Sequence, residues 1–380
     1  YIVFPGEAES LVESLLYFDL SEFGCPSWYK QHYYIERLNL QAVASARSAS
    51  NEFVKELLVS HNKVLVLLSN LVSCSLWLER ILPIILDSEY EPTSSFPIYI
   101  ILHHHAILSN ILETVLYHSE AMETLGDSSV DLVDWCYYQM CFLIKEANTN
   151  DSKQIIAELK EKVDHASIKD ELKAHQSVIR FEIGMKAIAL MRYLIEHSCS
   201  DFAAEHSNST CLPLGVIRRI LNTYDIPILF CNLIELAPWS VMRVVKGSDG
   251  SLHNKKFYWH ESGCWIEADE MPAMTKLEGQ LWLGLYQVLF NHPNTINYDL
   301  TLNHRKNNLL SLRSQLTEQR LDNLPVLINL RRFLEELALS DASYAGSNRN
   351  PGLANFCLVE ALPIIHDDII RSHIIVHENL

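Results

Sequence analysis

The sequence predicts an all-α helical solenoid with a small β-hairpin insert. Glycine and proline are scarce, with 12 and 13 copies in 380 residues, which disfavours sandwiches and barrels because those folds need many turns. Apolar residues recur at intervals of three and four in nearly every long segment, as expected of amphipathic helices. Prolines end these runs often, so many short helices follow one another, a pattern typical of a layered helical stack.

Three segments show the helical pattern most clearly, near residues 172–197, 276–290 and 327–337. Their apolar positions are Ile183, Ala187, Leu190, Met191 and Leu194, then Leu277, Leu281, Leu285 and Val288, then Leu327, Leu330, Phe333, Leu334 and Leu337. Gly279 and Gly284 lie inside the second segment, and each costs about 1 kcal/mol relative to alanine in a helix. Two interpretations stay open for these glycines: the close approach of a neighbouring helix, or simple tolerance.

Polar stretches divide the chain into parts. We expect an N-terminal helical part over residues 1–147, a polar linker or exposed helix over 148–173, a C-terminal helical part over 174–340 with the β-insert near 241–269, and a linker with a terminal helical segment over 341–380. Asp225-Ile226-Pro227 and the apolar run after it resemble the start of the third helix of an armadillo repeat, with Asp225 as the cap and Pro227 in the first turn. No clean repeat period accompanies this segment, so the predicted armadillo- or HEAT-like repeats are degenerate.

The predicted insert contains three short β-type runs, at residues 242–245, 256–260 and 264–267, with Gly247, Gly250 and Gly263 at the turns. Trp259 and Trp265 lie in these runs and are the candidate partner-binding residues, since exposed aromatic side chains often anchor protein interfaces. The alternative is that they pack the insert onto the helices, because tryptophan is mostly buried.

Composition and charge argue against several classes of protein. The formal net charge is −17, whereas a nucleic-acid binder usually presents a basic face. The apolar segments 64–78 and 96–112 contain serine, asparagine or histidine and fall short of the roughly 20 apolar residues of a membrane span, so we expect buried helices. The nine cysteines are scattered without a CxxC pair, which is typical of free thiols in the cytosol and predicts no zinc site in this chain.

Two clusters could carry chemistry, and neither forms a convincing site. His103-His104-His105 cannot converge on one metal, because adjacent helical residues point about 100° apart. Asp367-Asp368 is similar to the aspartate-rich motif of all-α isoprenoid synthases, which hold Mg²⁺ with several carboxylates, but Arg371 replaces the third aspartate. No nucleophile elbow, phosphate-binding loop or zinc-protease motif occurs. We expect no catalytic residue and no cofactor; an all-α enzyme using these clusters, or a generic armadillo-like adaptor, is the alternative.

An ordered set of segments carries a family resemblance. The segments are Pro5-Gly6-Glu7-Ala8-Glu9, Gln31-His32, residues 35–42, residues 56–64, Phe96-Pro97-Ile98-Tyr99, residues 110–115, Asp131-Leu132-Val133-Asp134, Phe181-Glu182-Ile183, Asp225-Ile226-Pro227, Pro238-Trp239 and residues 276–282. Together they resemble the zinc finger MYND domain-containing protein 10 family, in order from about residue 5 to about residue 340.

The resemblance implies a cytoplasmic factor for the pre-assembly of axonemal dynein arms. It implies a co-chaperone-type scaffold that helps dynein heavy and intermediate chains mature before motile cilia are built. The implied partners are axonemal dynein chains, a leucine-rich-repeat assembly factor, the ninety-kilodalton heat-shock chaperone and a prolyl isomerase. The implied locations are the cytoplasm, centriolar satellites and dynein assembly particles. The family offers no catalytic residues to assign here.

One departure from the family concerns its C-terminal MYND zinc finger, a Cys/His-rich module that binds two zinc ions. This sequence ends at Leu380, and Cys357 is the only cysteine among the last hundred residues. Either the chain is a fragment or the protein lacks the finger. We therefore expect zinc only in the missing finger and none in this chain.

Overall fold

A computed structural model describes residues 2–87, 94–148, 167–199, 212–246, 252–260, 264–268, 274–290, 298–300, 302–339 and 362–378. The expected turn glycines Gly247, Gly250 and Gly263 lie outside these residues, as do most of the expected polar linkers.

Helices make up most of the described chain. They are α1 (Pro5–Glu13), α2 (Pro26–Arg47), α3 (Phe53–Ser60), α4 (Val64–Leu76), α5 (Leu82–Asp87), α6 (Phe96–Val115), α7 (Ser119–Glu123), α8 (Ser129–Asn148), α9 (Ile168–Cys199), α10 (Leu214–Arg218), α11 (Ile226–Leu236), α12 (Lys276–Phe290), α13 (Asn303–Ser311), α14 (Glu318–Asn323), α15 (Leu327–Leu339) and α16 (Ile365–Glu378). Short π-helical segments, Trp77–Ile81 and Arg219–Thr223, join α4 to α5 and follow α10. The prediction of a mostly helical fold is confirmed.

Several helices begin where the sequence places a proline. Pro5, Pro26, Pro97 and Pro227 each occupy one of the first two positions of a helix, where the missing backbone N–H has no helical partner to lose. The expectation that prolines separate successive helices is therefore confirmed at α6 and α11. Residues 168–173, expected in a linker or an exposed helix, form the first turns of α9, where Leu172 is buried.

The long helix α9 lies at the centre of the molecule. It contacts α6 and α8 from the first half of the chain and α12 from the second half. Helix α6 also contacts α2 and α4. Helix α11 contacts α8, α12 and α13. The helices thus form successive packed layers, and one hydrophobic core runs from Val3 near the N-terminus to Ile369 in α16.

Two glycines allow helices to approach closely. A β-carbon on Gly284 of α12 would lie 2.6 Å from the ring of Phe230 in α11, and one on Gly184 of α9 would lie 2.5 Å from Leu143 of α8. For Gly284, the interpretation as a close-approach site is confirmed. A β-carbon on Gly279 would meet only Met274 at 3.7 Å, an ordinary contact, so this glycine is tolerated rather than required.

The insert is a three-stranded antiparallel sheet in the order β1-β2-β3, formed by Ser240–Lys246, Leu252–His260 and Cys264–Glu267. Trp259 in β2 pairs with Trp265 in β3, so both side chains lie on the same face. The opposite face presents Met242, Val244 and Leu252, each more than half exposed. The three runs predicted from the sequence are the three strands.

One helix is long and apolar enough to cross a membrane by length and composition. It is Val64–Asp87, which comprises α4, the π-helical segment and α5, and 67% of its most apolar window is buried inside the protein. Such burial is what a core helix shows, as the sequence predicted for residues 64–78. Among the described residues, no other helix meets the same criteria of length and hydropathy.

Candidate functional site

The three adjacent histidines of α6 point into three different surroundings. His104 is buried, and its Nδ1 atom lies 3.0 Å from Nδ1 of His32 in α2. His105 is also buried, and its Nε2 atom lies 3.0 Å from the Ser75 hydroxyl. His103 is partly exposed, 3.6 Å from Glu36. The prediction that these residues do not converge on one metal is confirmed.

Burial determines how the two inner histidines titrate. It lowers the pKa of His104 well below its usual value and lowers the pKa of His105 to about 3. The indole N–H of Trp135 donates to Ser75 at 2.8 Å, and the Trp28 ring stacks on His32. Both histidines are therefore neutral and serve as hydrogen-bonding groups that connect helices.

The aspartates of the C-terminal motif face solvent. Asp367 and Asp368 lie in the first turn of α16 with side chains about half and two-thirds exposed, and Arg371 lies 3.8 Å from Asp368. Neither belongs to a group of ligands close enough to hold a metal ion among the described residues. Their carboxylates do not form the magnesium site that the all-α enzyme alternative requires.

The described residues contain one group with metal-ligand chemistry, Glu9 and Glu13 of α1 with His61 after α3. The two carboxylates lie 3.9 Å from opposite nitrogens of the same imidazole ring, and both are more than half exposed. One ligand atom of each residue lies within 4.8 Å of the other two, and exposed acidic groups of this kind are common without a bound ion. The cluster places two acids of α1 beside the residue that follows α3.

Buried ion pairs connect segments that are distant in the sequence, and one of them joins the two halves of the chain. Arg219, after α10, donates to Asp134 of α8 through Nε and, at 2.7 Å, through Nη2. Asp225 accepts a hydrogen bond from Tyr298 and one from Nε of Arg305 at 2.8 Å. Both arginines are almost fully buried, so each needs its carboxylate as a counter-ion.

The role expected of Asp225 was wrong in part. Asp225 does precede α11, but its side chain makes no capping hydrogen bond, and its backbone is left-handed with φ of 48°. The carboxylate instead turns toward α13 to meet Arg305. A short sequence pattern predicts local caps, whereas the buried arginine comes from eighty residues further along and competes successfully for the same oxygen atoms.

Trp259 and Trp265, the candidate partner-binding residues, are half-buried against α9. The centroids of the two rings lie 5.3 Å apart. The centroid of the Phe181 ring in α9 lies 5.3 Å from that of Trp259 and 6.1 Å from that of Trp265. The guanidinium of Arg243 in β1 lies over the Trp265 ring. The two rings therefore attach the sheet to the helices, and their exposed edges are what a partner could reach.

The sequence did not reveal the role of Asp131, a nearly fully buried residue in the first turn of α8. Its two carboxylate oxygens accept hydrogen bonds from the backbone N–H groups of Ile364 and His366, both at 3.1 Å. No local signal could have indicated this contact, because its members lie more than 230 positions apart.

These features define a mostly helical protein whose buried titratable groups tie helices together rather than forming a catalytic constellation within the described ranges. The chain is 30% identical over 370 residues to the zinc finger MYND domain-containing protein 10 homolog of Drosophila melanogaster, and the alignment covers 97% of this chain and 74% of that protein. The chain therefore belongs to the zinc finger MYND domain-containing protein 10 family. No family profile and no solved structure matches it. The family name is not that of an enzyme.

Proposed function

We propose that this protein is a cytoplasmic scaffold for the pre-assembly of axonemal dynein arms. It holds dynein heavy and intermediate chains together with their chaperones while these chains mature, and it catalyses no reaction. The observation that carries the proposal is the family relationship, which extends over 97% of the chain.

The fold is compatible with such a role. Layered helices present long, continuous surfaces of the kind that bind other proteins. His104 and His105, whose pKa values burial lowers strongly, lie in contacts between helices. The net charge of −17 favours partners with basic or mixed surfaces.

The proposed partners are axonemal dynein chains, a leucine-rich-repeat assembly factor, the ninety-kilodalton heat-shock chaperone and a prolyl isomerase. The proposed locations are the cytoplasm, centriolar satellites and dynein assembly particles. We propose no nucleic-acid partner, no cofactor and no zinc for this chain.

The direct test is to express the tagged chain in cells that are building motile cilia and to identify bound proteins from the cytosol by mass spectrometry. We expect dynein heavy or intermediate chains together with the chaperones. Deletion of the gene should remove dynein arms from the axoneme. Cilia that retain a full set of arms after deletion would rule the proposal out, and recovery of a different set of clients would favour a generic helical adaptor.

The contribution of the sheet to partner binding is tested with matched variants. Met242→Ser with Val244→Ser changes two exposed side chains on the outer face, while Trp259→Phe keeps an aromatic ring against Phe181. If partners contact the sheet through its outer face, the first variant loses dynein chains in the purification and the second retains them. If the tryptophan edges make the contact, the second variant loses them.

A further inference from the structure

Strand β1 forms one edge of the sheet. In the order β1-β2-β3, β2 is the only described strand that is hydrogen-bonded to β1. All of β1 pairs with β2 in unbroken register, so no β-bulge interrupts the edge, and β1 contains no proline. Its central charge, Arg243, lies over the rings of Phe257 and Trp265. The edge therefore lacks the devices by which proteins usually prevent the addition of another strand.

The register shows which backbone groups of β1 point away from the sheet. The Trp259 N–H donates to the carbonyl of Trp239 at 2.8 Å, and the register continues so that these residues lie opposite each other. Bonded and non-bonded pairs alternate along an antiparallel ladder, so the odd-numbered residues of β1 direct their backbone groups toward β2. Met242 and Val244 direct theirs away from the sheet. Their side chains are 59% and 63% exposed, so the described part of the chain leaves both accessible.

The charge of the sheet is opposite to that of the whole chain. Strands β1 and β2 contain no acidic residue and four basic ones, which are Arg243, Lys246, Lys255 and Lys256, whereas the net charge of the chain is −17. Lys255 forms an ion pair with Glu267 of β3 at 2.5 Å. Lys256 is exposed over the Tyr258 ring and forms no ion pair with a described carboxylate. The edge is therefore a basic and apolar surface, which attracts an acidic partner.

We propose that the free edge of β1 binds an extended segment of a partner protein in which acidic residues alternate with apolar ones. The segment adds a fourth strand through the outward backbone groups of Met242 and Val244. Its apolar side chains lie beside theirs, and its acids lie on the other face beside Arg243. Lys256 of β2, ~10 Å away at two strand spacings, is within one Debye length of these acids.

A second copy of this chain is a poorer occupant of the edge. Two β1 strands side by side would bring like cations together, and both molecules carry a large negative net charge. The inference rests on the register, the exposure and the charge of the sheet, so it does not depend on the proposed function.

The chemistry of the partner is tested with a labelled peptide of about eight residues in which valine and glutamate alternate, a length typical of a strand. Fluorescence anisotropy measures its binding to the full chain. One control peptide has the same composition with the two residue types in separate blocks, and a second alternates valine and lysine. The first peptide should bind at least about tenfold more tightly than either control, and rising salt should weaken it. No binding, or equal binding of the alternating and block peptides, would overturn the proposal.

Hydrogen exchange resolved to single residues locates the bound peptide. The peptide should slow exchange of the Met242 and Val244 amides about tenfold, because these groups gain a partner. The Arg243 amide, which faces β2 already, should not change. Protection confined to other parts of the chain would contradict the addition of a strand to β1.

Two variants of the sheet test the two kinds of contact. Val244→Pro removes an outward N–H without removing a bond to β2 and should weaken peptide binding about tenfold. Lys256→Glu should weaken it about fivefold. Lys30→Glu in α2 is the matched control, since Lys30 is also exposed over a tyrosine ring, and it should bind normally. Undiminished binding by Lys256→Glu would overturn the proposal, and so would undiminished binding by a folded Val244→Pro variant.

Circular dichroism shows whether Val244→Pro is folded; if it is not, Lys256→Glu and the exchange of the unsubstituted chain decide. Light scattering of the free chain tests the other occupant. We expect no dimer that forms through β1. A dimer that Val244→Pro dissociates would assign the edge to a second copy and rule out the acidic partner.

Discussion

The surroundings of a side chain in this protein determine how substitution or a change of pH affects stability. Gly279 and Gly284 are five positions apart on α12, yet only Gly284 faces a ring, that of the fully buried Phe230. Of three consecutive histidines, two are buried and neutral and one is only partly buried. Residues of the same type and almost the same position should therefore respond very differently to substitution and to pH.

The two glycines of α12 give a matched pair of substitutions. Gly284→Ala should destabilise the fold by about 1–3 kcal/mol, because the new methyl group overlaps the Phe230 ring, which has no room to move. Gly279→Ala should stabilise it by up to about 1 kcal/mol through helix propensity. Urea denaturation followed by circular dichroism measures both. Equal effects of the two substitutions would show that α11 does not approach α12 at Gly284.

Acid should destabilise the protein through its buried histidines. Their pKa values are lower in the folded protein than the ordinary value of about 6.5, so the unfolded chain binds more protons as the pH falls. This stability is fully present above about pH 6.5 and is lost below it, by about 1.4 kcal/mol for each of His104 and His105 at pH 5.5. Protonation of both rings would also place two N–H groups face to face in the His32–His104 pair.

Denaturation midpoints between pH 7.5 and 5.5 test this expectation. His105→Gln should reduce the pH dependence of the free energy of unfolding by about one proton. His103→Gln, which alters a partly exposed neighbour, should not change it. A pH dependence that persists fully in His105→Gln would show that this histidine does not titrate as a buried neutral group.

Contacts between elements depend on polar groups as much as on apolar ones. Asp225 joins α11 to α13 through Arg305 and Tyr298, Asp134 joins α8 to Arg219, and the tryptophan pair joins the sheet to α9. Each of these links connects segments distant in sequence. Their loss should therefore loosen the packing between elements before it affects any single helix.

Asp225→Asn separates capping from ion pairing. Asparagine is as good a cap as aspartate and tolerates a left-handed backbone equally well. If Asp225 acted only as a cap, the substitution would be neutral. Because it is the counter-ion of Arg305, we expect a loss of about 2–3 kcal/mol in the free energy of unfolding. Asp322→Asn, in the short helix α14, is a surface control expected to have no effect.

The side chains on the face of the sheet that packs against α9 should contribute more to stability than those on the outer face. Trp259→Ala removes the ring that meets Phe181 and should cost about 2 kcal/mol, less than a fully buried tryptophan, since Trp259 is half-buried. Met242→Ala on the outer face should change stability by less than about 0.5 kcal/mol. Thermal denaturation of the two variants compares them. Equal midpoints would show that the tryptophans contribute nothing to packing.

The molecule as a whole is organised around α9. This helix contacts α6 and α8 from the first half of the chain and α12 from the second. Separation of either half from α9 would therefore expose apolar surface. Helix α16 adds a second connection between the end of the chain and its first half. Long-range contacts of this kind couple the parts of a protein energetically.

The two halves should therefore unfold together. Native-state hydrogen exchange at rising urea concentrations should give the same opening free energy for α6 and α12. An opening of α12 well below that of α6 would show that the halves are independent units.

The features of the fold that depend on local periodicity could be predicted from the sequence. It predicted the helical class, the positions of α12 and α15, the helix starts at Pro97 and Pro227, and the three strands of the insert. It also predicted that the histidines of α6 would diverge, because this follows from helix geometry alone. The resemblance to the family, which the alignment confirms, likewise needed only the order of short segments.

The packing of whole helices determines which side chains meet. The Asp225 carboxylate pairs with Arg305 instead of capping α11, Gly284 alone of the two α12 glycines faces a ring, and Asp131 rather than Asp367 or Asp368 is the acid that binds a helix end. Each outcome depends on a contact between residues far apart in the chain. Such contacts follow from how whole helices pack, and hydrophobic periodicity specifies the buried face of a helix but not the neighbour that covers it.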